Sequence, residues 1–360
     1  MAETIYTIKS STLEAIGDAI REKTGTTDKI TPEDMATAVS EIQSGGGDDR
    51  FLNFIEGNLT ELTYDDITTI GAQAFYGNQT ITKVDLPNLI DVGSECFATA
   101  KIASLIAPKL EQVNGKSVFY NCNSLTHVEL PNLIMSDVSS QRGFRLFGYC
   151  ANLTTISLPK LKKTPEYCFA SCSKLISVNL PSVEEICVGS FSSCSSLVSI
   201  RLPKATKMIY KTSLEPVFSC STLEDLYIPM VDQLYANCCK NCYKLTHLDL
   251  FVAKRFGSKA FGNNYSFKAL ILRKEDSLCT LDNADAFDKC YHFHGTVNAT
   301  YNPDGLKDGY IYVPRALIED YKVATNWTTF ADQFRALEDY TVDGTTTGAM
   351  DWDKINGTTN

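Results

Sequence analysis

A bulky anchor residue, almost always phenylalanine, returns along most of this chain at a nearly constant interval. Successive anchors are separated by 22, 22, 28, 22, 22, 27, 21 and 22 residues. The anchors are Phe75, Phe97, Phe119, Phe147, Phe169, Phe191, Phe218, Cys239 and Phe261. Self-similarity at a fixed period of about 20–50 residues is typical of solenoids, in which each unit packs on the next. The spacing therefore predicts one long repeat array.

Each repeat follows the pattern F-x-x-C-x-x-L-x-x-V-x-L-P-x-L, as in FYNCNSLTHVELPNL at 119–133. Val128 and Leu130 alternate with polar residues at period two, which predicts a short strand with both apolar side chains inward. Pro131 ends that strand because proline has no N–H to donate. One unit cannot bury its apolar face alone, so we expect stability to come from stacking. Nine coils spaced by about 4.8 Å would form a rod about 40 Å long.

The thirteen cysteines of the chain fall mostly into columns of the same repeat. Small, weakly polar side chains suit a tightly stacked interior, and free cysteine is among the most buried residue types. We therefore interpret these thiols as core residues rather than as a disulfide framework. The cysteines three residues after an anchor are Cys122, Cys150, Cys172, Cys194, Cys242 and Cys290, with Cys220 two after, and those directly before one are Cys96, Cys168 and Cys238.

The consensus resembles the BspA-type leucine-rich repeat, which joins a Phe-x-x-Cys-x-x-Leu turn to a short strand and a proline. The resemblance covers about residues 59–275 and places the solenoid within 51–294. It implies an α/β repeat solenoid with short parallel strands, curved and used for binding, commonly in surface adhesins, and it implies no catalysis. The departures from the pattern are Cys239 in the phenylalanine column, Phe251 in place of proline, and insertions at 136–145 and 207–215.

The first 43 residues read as a separate helical module. Leu13, Ile16 and Ile20 share one helical face, and a Thr-Pro-Glu-Asp run has the cap and proline typical of a second helix start. Residues 44–50 have the composition of a flexible linker. The stretch STLEAIGDAIREKTGTTDKITPEDMATAVSEI resembles an N-terminal segment of many structural proteins from phages and prophages of Gram-positive hosts. That resemblance implies attachment to other virion proteins, and the module is also suited to packing on copies of itself.

After the repeats, residues 295–340 are predicted to form a C-terminal cap of one strand and two helices. The strand is expected at 310–313 and the helices at 315–324 and 329–337. This unit resembles the usual C-terminal cap of phage-borne BspA-type proteins, and it would cover the last open coil. Residues 341–360 are rich in Thr, Gly and Asp, which predicts a flexible tail unless a partner holds it.

The charge and hydropathy of the sequence argue against nucleic-acid and membrane partners. The formal net charge is −10 with both signs mixed, whereas nucleic acid or anionic lipid would need a concentrated basic surface. We therefore expect no nucleic-acid partner. Uninterrupted apolar stretches stay below the eighteen residues typical of a spanning helix, so no membrane insertion is expected. The first residues show no basic leader followed by an apolar run, which predicts synthesis in a cytoplasm without a secretory signal.

Three residues near the end of the repeats are candidate metal ligands. Cys290, His292 and His294 alternate, so on an extended strand their side chains would share a face and could ligate a metal ion. The alternative interpretation is a core cysteine beside two histidines on an irregular last coil. The run Cys238-Cys239-x-x-Cys242 is weaker still, because a zinc knuckle needs a second ligand pair.

Three common catalytic motifs do not occur in this sequence. G-x-x-x-x-G-K-[ST], G-x-S-x-G and H-E-x-x-H are absent, and the chain has only four histidines to serve as bases. We therefore predict no catalytic residues, no cofactor and no enzyme activity.

The outward positions of the predicted strands are the main candidates for ligand binding. They hold small polar residues with a few Tyr, Arg and His, which can hydrogen-bond and stack on a sugar or a protein surface. An ordinary solvated sheet face is the alternative, and the two insertions are competing sites. The candidate residues are His127, Glu129, Asn179, Arg201, Asp225, Tyr227, His247 and Asp249 on the strands, and Arg142, Phe144, Arg145 and Tyr210 in the insertions.

Three functional hypotheses follow. The leading one is a non-enzymatic, tail-associated structural protein of a phage or prophage virion, whose helical module binds virion proteins and whose solenoid recognises a host-surface glycan or protein. The second is a bacterial cell-surface adhesin of the same repeat family, which needs a secretion route. The third is a metal-dependent enzyme or sensor centred on Cys290, His292 and His294.

Overall fold

The computed structural model of the chain is a stack of coils, each contributing short parallel strands. It describes four stretches of the sequence, 59–113, 115–135, 145–209 and 215–357. The predicted helical module and the linker at 44–50 lie outside these stretches. The chain divides into two units, Met1–Thr60 and Glu61–Asn360, and the strands and helices that follow belong to the second.

One side of the coils carries the first ladder, which contains twelve strands in the described stretches. The strands form four successive parallel sheets of four, two, two and four strands, and within each sheet they pair in register. In the three-residue strands from Glu61–Thr63 to Asp225–Tyr227 the middle residue packs inward between two outward-facing residues. The predicted repeat solenoid with short parallel strands is confirmed. The strands are Glu61–Thr63, Lys83–Asp85, Ser104–Ile106, His127–Glu129, Thr155–Ser157, Ser177–Asn179, Ser199–Arg201, Asp225–Tyr227, His247–Leu250, Ala269–Leu272, Tyr310–Val313 and Phe334–Ala336.

A second ladder of shorter parallel strands runs along another side of the coils. Charged side chains on adjacent coils pair across it, as Lys163 does with Glu185 at 3.0 Å and Arg255 with Asp282 at 2.7 Å. Its strands are Thr69–Ile70, Asp91–Val92, Lys163–Thr164, Glu185–Cys187, Lys207–Ile209, Gln233–Leu234, Arg255–Phe256 and Thr280–Leu281. A further parallel pair, Phe191–Ser192 with Phe218–Ser219, lies in the turn that carries the phenylalanine anchors.

The phenylalanine anchors line up one above another in the interior. From Phe75 to Phe218 the centroids of successive rings are 5.2–6.0 Å apart, and the rings are stacked. Phe97 and the anchors that follow it up to Phe218 are fully buried. The predicted register of the coils is therefore confirmed, including across the long 28- and 27-residue intervals.

The backbone of each phenylalanine turn takes an unusual form. Around Phe147, Arg145 and Tyr149 both have positive φ angles, 30° and 64°. This conformation costs a non-glycine residue about 1 kcal/mol or more. It aims three N–H groups, of Arg145, Phe147 and Tyr149, at carbonyls of the next coil, with N···O distances of 2.9, 2.8 and 2.7 Å. The same pair of positive φ angles recurs around every other anchor except Phe218, so main-chain hydrogen bonds join the turns as well as the two ladders.

The cysteine column has a bonding role in addition to packing. The thiol of Cys172 donates to the main-chain carbonyl of Phe147 in the preceding coil at 3.1 Å, and Cys194 donates to Phe169 at the same distance. Cys122, Cys150, Cys220 and Cys290 repeat the contact. All thirteen cysteines are free and buried, which confirms their interpretation as core residues.

Helices are few and short in the described part of the chain. None has the length and apolar character that a membrane-crossing helix requires. The α-helices are Tyr291–His294, Ile318–Val323 and Trp352–Asn356, and the 3-10 helices are Ala284–Phe287, Arg315–Leu317, Thr328–Gln333 and Leu337–Tyr340.

The C-terminal cap begins as expected, with the strand Tyr310–Val313 followed by the helix Ile318–Val323. The second predicted helix, at 329–337, is wrong in its second half: the chain leaves a 3-10 helix at Gln333 and adds the strand Phe334–Ala336 to the first ladder. Alternation at period two explains this, since Phe334 and Ala336 are buried and the residue between them is less so.

The flexible tail predicted for 341–360 is also corrected, because residues 341–357 are folded back onto the first ladder of the same chain. Met350 is buried in a cluster with Ala269, Ile271, Tyr312 and Leu337. The outward positions of the strand Ala269–Leu272 are apolar and need cover from water, which the few large apolar residues of the C-terminal segment supply.

Candidate ligand-binding face

From the strand Glu61–Thr63 to the strand Asp225–Tyr227, the outward side of the first ladder is exposed. We call this surface the open face. Because side chains alternate along a strand, two residues of each coil point outward. Almost all of them are polar, and main-chain pairing holds neighbouring coils in register within each of the three sheets of this face. The open face is therefore a regular array of hydrogen-bonding groups.

A shallow depression of about 490 Å³ lies in the middle of the open face. Its floor is formed by the small side chains of Thr155, Ser157 and Ser177, which project less than those around them. On one side His127 Nε2 lies 3.0 Å from an oxygen of Glu129, and on the other Asn179 donates to Ser157 Oγ at 2.9 Å. The depression is lined by Thr126, His127, Val128, Thr155, Ile156, Ser157, Ser177, Val178 and Asn179.

Towards the C-terminal end of the open face, Arg201 lies at the centre of a second polar cluster. Its Nη1 donates to a carboxylate oxygen of Asp225 at 3.0 Å, and Ser199 Oγ donates to the same oxygen at 3.0 Å. The guanidinium carbon lies 4.2 Å from the ring centroid of Tyr227. In-register pairing of the two strands brings these residues together. The side chains of Arg201 and Asp225 are 59% and 39% exposed, so both can reach a ligand.

The next coil is covered, contrary to the expectation that His247 and Asp249 face solvent as binding residues. The ring of Trp352 lies 4.3 Å from that of His247, and burial lowers the pKa of this histidine. Asp249 accepts two hydrogen bonds from Arg273, at 2.7 Å each. The same guanidinium donates to the carbonyls of Thr346 and Gly348 at 2.6 and 2.8 Å, so that Asp249 serves to anchor the C-terminal segment.

The coils of this chain match the repeat of a known protein family. The family model described as "BspA type Leucine rich repeat region" matches the chain in six copies, over residues 51–145 and 140–268. The matches span more than half of the chain and coincide with the stacked phenylalanine turns. The chain belongs to the BspA-type leucine-rich repeat family. Proteins of this family are often found at cell surfaces, and its repeats are typical of adhesins and recognition proteins.

Several solved structures are similar to this BspA-type chain. A leucine-rich repeat protein of Bacteroides ovatus is 21% identical, with coverage of 78% of this chain and 82% of that one and a TM-score of 0.38. A leucine rich cell surface protein of Faecalibacterium prausnitzii is 14% identical (76% and 90% covered, TM-score 0.29). The pneumococcal vaccine antigen PcpA is 16% identical (77% and 65% covered, TM-score 0.34). A comparison with curated proteins found no match.

The residues predicted in the two insertions do not join the open face as far as the structure describes them. Arg142, Phe144 and Tyr210 lie outside the described residues. Arg145 lies on a phenylalanine turn of the BspA-type coil, where its guanidinium carbon is 5.6 Å from the ring centroid of Tyr120 and 5.4 Å from that of Tyr167. It is therefore separate from the ladder residues with which it was grouped.

The predicted metal site requires Cys290, His292 and His294 on an extended strand, and this prediction is wrong because Tyr291–His294 is helical. Each candidate ligand has another partner: Cys290 donates to the carbonyl of Phe261, and His294 Nε2 lies 3.0 Å from that of Phe287. His292 contacts Asp308 through Nδ1, and its Nε2 lies 2.9 Å from the carbonyl of Tyr301. Within the described ranges no group of three His, Cys, Asp or Glu side chains is arranged to hold a metal ion.

Two residues at the covered end of the ladder were missed from the sequence, Arg273 and Trp352. Arg273 is 6% exposed and joins three segments of chain. A signal for this was present: Ala269 and Ile271 are apolar at outward positions of an otherwise polar BspA-type ladder. Such an exposed apolar patch predicts a covering element, and Trp352 is one of the few large apolar residues in the C-terminal segment that could form it.

Proposed function

We propose that this BspA-type solenoid is a recognition protein whose open face binds a glycan or protein on the surface of a host cell. The observation that carries the proposal is the polar depression on the first ladder, lined by His127 and Asn179 among others, with the Arg201 cluster on the strands that follow. Recognition sites are commonly concave and contain a few well-placed polar groups. Hydroxyl, amide and guanidinium groups held at fixed spacing suit hydrogen bonding to a ligand that is bound and left chemically unchanged.

We further propose that the chain is a non-enzymatic, tail-associated structural protein of a phage or prophage virion. The support is the likeness of residues 11–42 to the N-terminal segment of such structural proteins. In this arrangement the N-terminal module binds other virion proteins, and the solenoid carries the open face towards the host.

The second candidate is a bacterial cell-surface adhesin. It is favoured by the family itself, since BspA-type repeat proteins are often located at cell surfaces. The same open face would serve either role, because both need a rigid surface that recognises another cell. The two candidates differ in where the protein is found.

Binding by the open face is tested with labelled full-length protein and intact cells of candidate Gram-positive hosts. Ser177→Trp fills the depression with a bulky ring, and we expect it to reduce cell binding at least tenfold. Glu184→Trp adds the same bulk at an exposed position beside the second ladder and is expected to bind as the unmodified protein does. Equal binding by both variants, or no cell binding by the unmodified protein, would refute the proposal.

Location is tested by mass spectrometry of purified virions and of cell-wall fractions from the source strain after prophage induction. The virion hypothesis requires peptides of this chain at constant stoichiometry to tail proteins. Peptides found in the cell wall and missing from virions would contradict it and favour the adhesin.

A further inference from the structure

The boundary between the open and the covered part of the first ladder is formed by an aromatic side chain from outside the repeats. Trp352 begins the helix Trp352–Asn356, and the side chain of Asp351 caps that helix by accepting from the N–H of Lys354 at 3.0 Å. The indole ring contacts His247 at a centroid distance of 4.3 Å. His247 lies on the strand next to that of Asp225, and the two side chains are close enough to interact electrostatically.

Trp352 is only partly buried where it packs on the last coils. Met350, two residues earlier, is 8% exposed, and the other tryptophan of the chain, Trp327, is 1% exposed. The indole of Trp327 is satisfied internally, because its Nε1 donates to the carbonyl of Cys279 at 2.7 Å. Trp352 stays partly exposed beside His247, whose strand neighbours that of Asp225. An amphipathic ring in this position offers an apolar face to a ligand that also reaches polar groups.

The polar side of the same region supplies hydrogen-bond donors and acceptors side by side. The guanidinium of Arg201 carries five N–H donors, and the carboxylate of Asp225 has several acceptor positions. Stacking of the guanidinium on Tyr227 and its bond to Asp225 hold it in one orientation. A donor and an acceptor at this spacing match two adjacent hydroxyls of a sugar ring.

Each arginine of this region is balanced by a carboxylate. Arg201 is balanced by Asp225, and Arg273 is balanced by Asp249. Burial lowers the pKa of His247, which keeps this ring neutral near pH 7. With no net positive charge to offset the cost of desolvating an anion, a neutral ligand is favoured over one with carboxylate or sulfate groups.

We propose that Arg201, Asp225, Tyr227 and Trp352 form a subsite for a neutral hexose residue of a glycan. A hexose has an apolar C–H face, which stacks on the indole, and a hydroxyl edge, which bonds to the Arg201–Asp225 pair. The inference rests on the proposed function, since it assigns a ligand class to one end of the open face. It also gives the C-terminal segment a part in binding in addition to its part in covering the last coils.

The test uses full-length protein on a printed array of neutral hexose oligosaccharides and sialylated oligosaccharides. We expect binding to neutral hexose oligosaccharides, reduced at least tenfold by Trp352→Ala and by Arg201→Ala. Arg201 makes its described contacts with ladder residues, so its effect cannot come from release of the C-terminal segment. Val342→Ala is the matched control, because Val342 is an exposed residue of the same segment, and it is expected to leave binding unchanged.

A second readout follows Trp352 directly. The chain has two tryptophans and Trp327 is buried, so iodide quenching of fluorescence reports mainly on Trp352. Saturation with the neutral oligosaccharide that binds best on the array should at least halve the quenching constant. Preference for sialylated oligosaccharides, unchanged quenching, or full binding by both alanine variants would overturn the subsite. If cells are bound through the Ser177 region while neutral hexoses are not, the proposed function stands and this inference fails.

Discussion

Most thiols of the cysteine column donate a hydrogen bond to a main-chain carbonyl of the preceding coil. The thiol of Cys172 reaches across one coil to the carbonyl of Phe147, and it is fully buried. Burial raises the pKa of Cys172 well above its usual range, because the thiolate would lose its hydration. Only the thiolate reacts readily, so these cysteines are expected to be chemically inert in the folded protein.

That inertness gives the first prediction. Reaction of the native protein with a thiol-specific disulfide reagent at pH 8 should modify fewer than about one of the thirteen cysteines within an hour. The same reagent in guanidinium chloride should modify all thirteen, which serves as the control. Rapid reaction of several thiols in the native state would contradict the buried column.

The second prediction concerns alkaline pH. Burial raises the pKa of Cys96 from the usual 9.0 to about 12. Between these values the unfolded chain loses a proton that the folded chain keeps, so folding stability is intact below pH 9 and falls as the pH rises towards 12. Each such thiol contributes a loss of about 1.4 kcal/mol per pH unit. Urea unfolding under reducing conditions should show the decline, and Cys96→Ala should make it shallower; an equal slope for both proteins would contradict it.

At the scale of the element, the phenylalanine turn is the unit that joins one coil to the next. Phe169 stacks between Phe147 and Phe191 at centroid distances of 6.0 and 5.5 Å, and it is fully buried. We expect Phe169→Ala to lower the free energy of unfolding by about 3–5 kcal/mol, since it leaves a cavity in a continuous column. Ile176→Ala, at a side chain 53% exposed on the same coil, is the control and should change it by about 0.5 kcal/mol or less. Urea unfolding measures both, and comparable losses would contradict the stacked column.

The C-terminal segment is the other element with a measurable effect. Because Trp352 covers His247, Trp352→Ala should raise the pKa of His247 back towards its usual 6.5. The sign follows from burial: the folded chain disfavours the charged ring, so docking of the segment weakens as the pH falls below 6.5. NMR titration of the imidazole protons measures this, with His247→Gln to assign the resonance and Val342→Ala as the control. An unchanged midpoint in Trp352→Ala would contradict the contact.

At the scale of the whole molecule, the sequence predicted the parts that repeat and missed the parts that occur once. The anchors stack, and Arg201 and Asp225 point outward, because a pattern is repeated in many copies. Such a pattern can be recognised in the sequence by its periodicity. Cover of His247 by Trp352 is a single tertiary contact over a separation of about a hundred residues, and no local propensity encodes it. His292 shows the same limit, because its partner Asp308 lies in a loop that no repeat specifies.

Because the solenoid is built from stacked coils, we expect it to tolerate the deletion of one complete coil but not of part of a coil. Removal of residues 155–176 takes out 22 residues and joins Thr154 to Ser177, so the next strand replaces the missing one and Phe191 follows Phe147 at the normal spacing. Each coil contacts mainly its neighbours, so the shortened solenoid should keep its circular dichroism and unfold cooperatively at a somewhat lower urea concentration. Removal of 155–165 alone shifts every later coil by half a turn and exposes Phe169, Leu175 and their column. That variant should be insoluble or unfolded, and a folded half-coil deletion would show that the register of the coils does not hold the structure together.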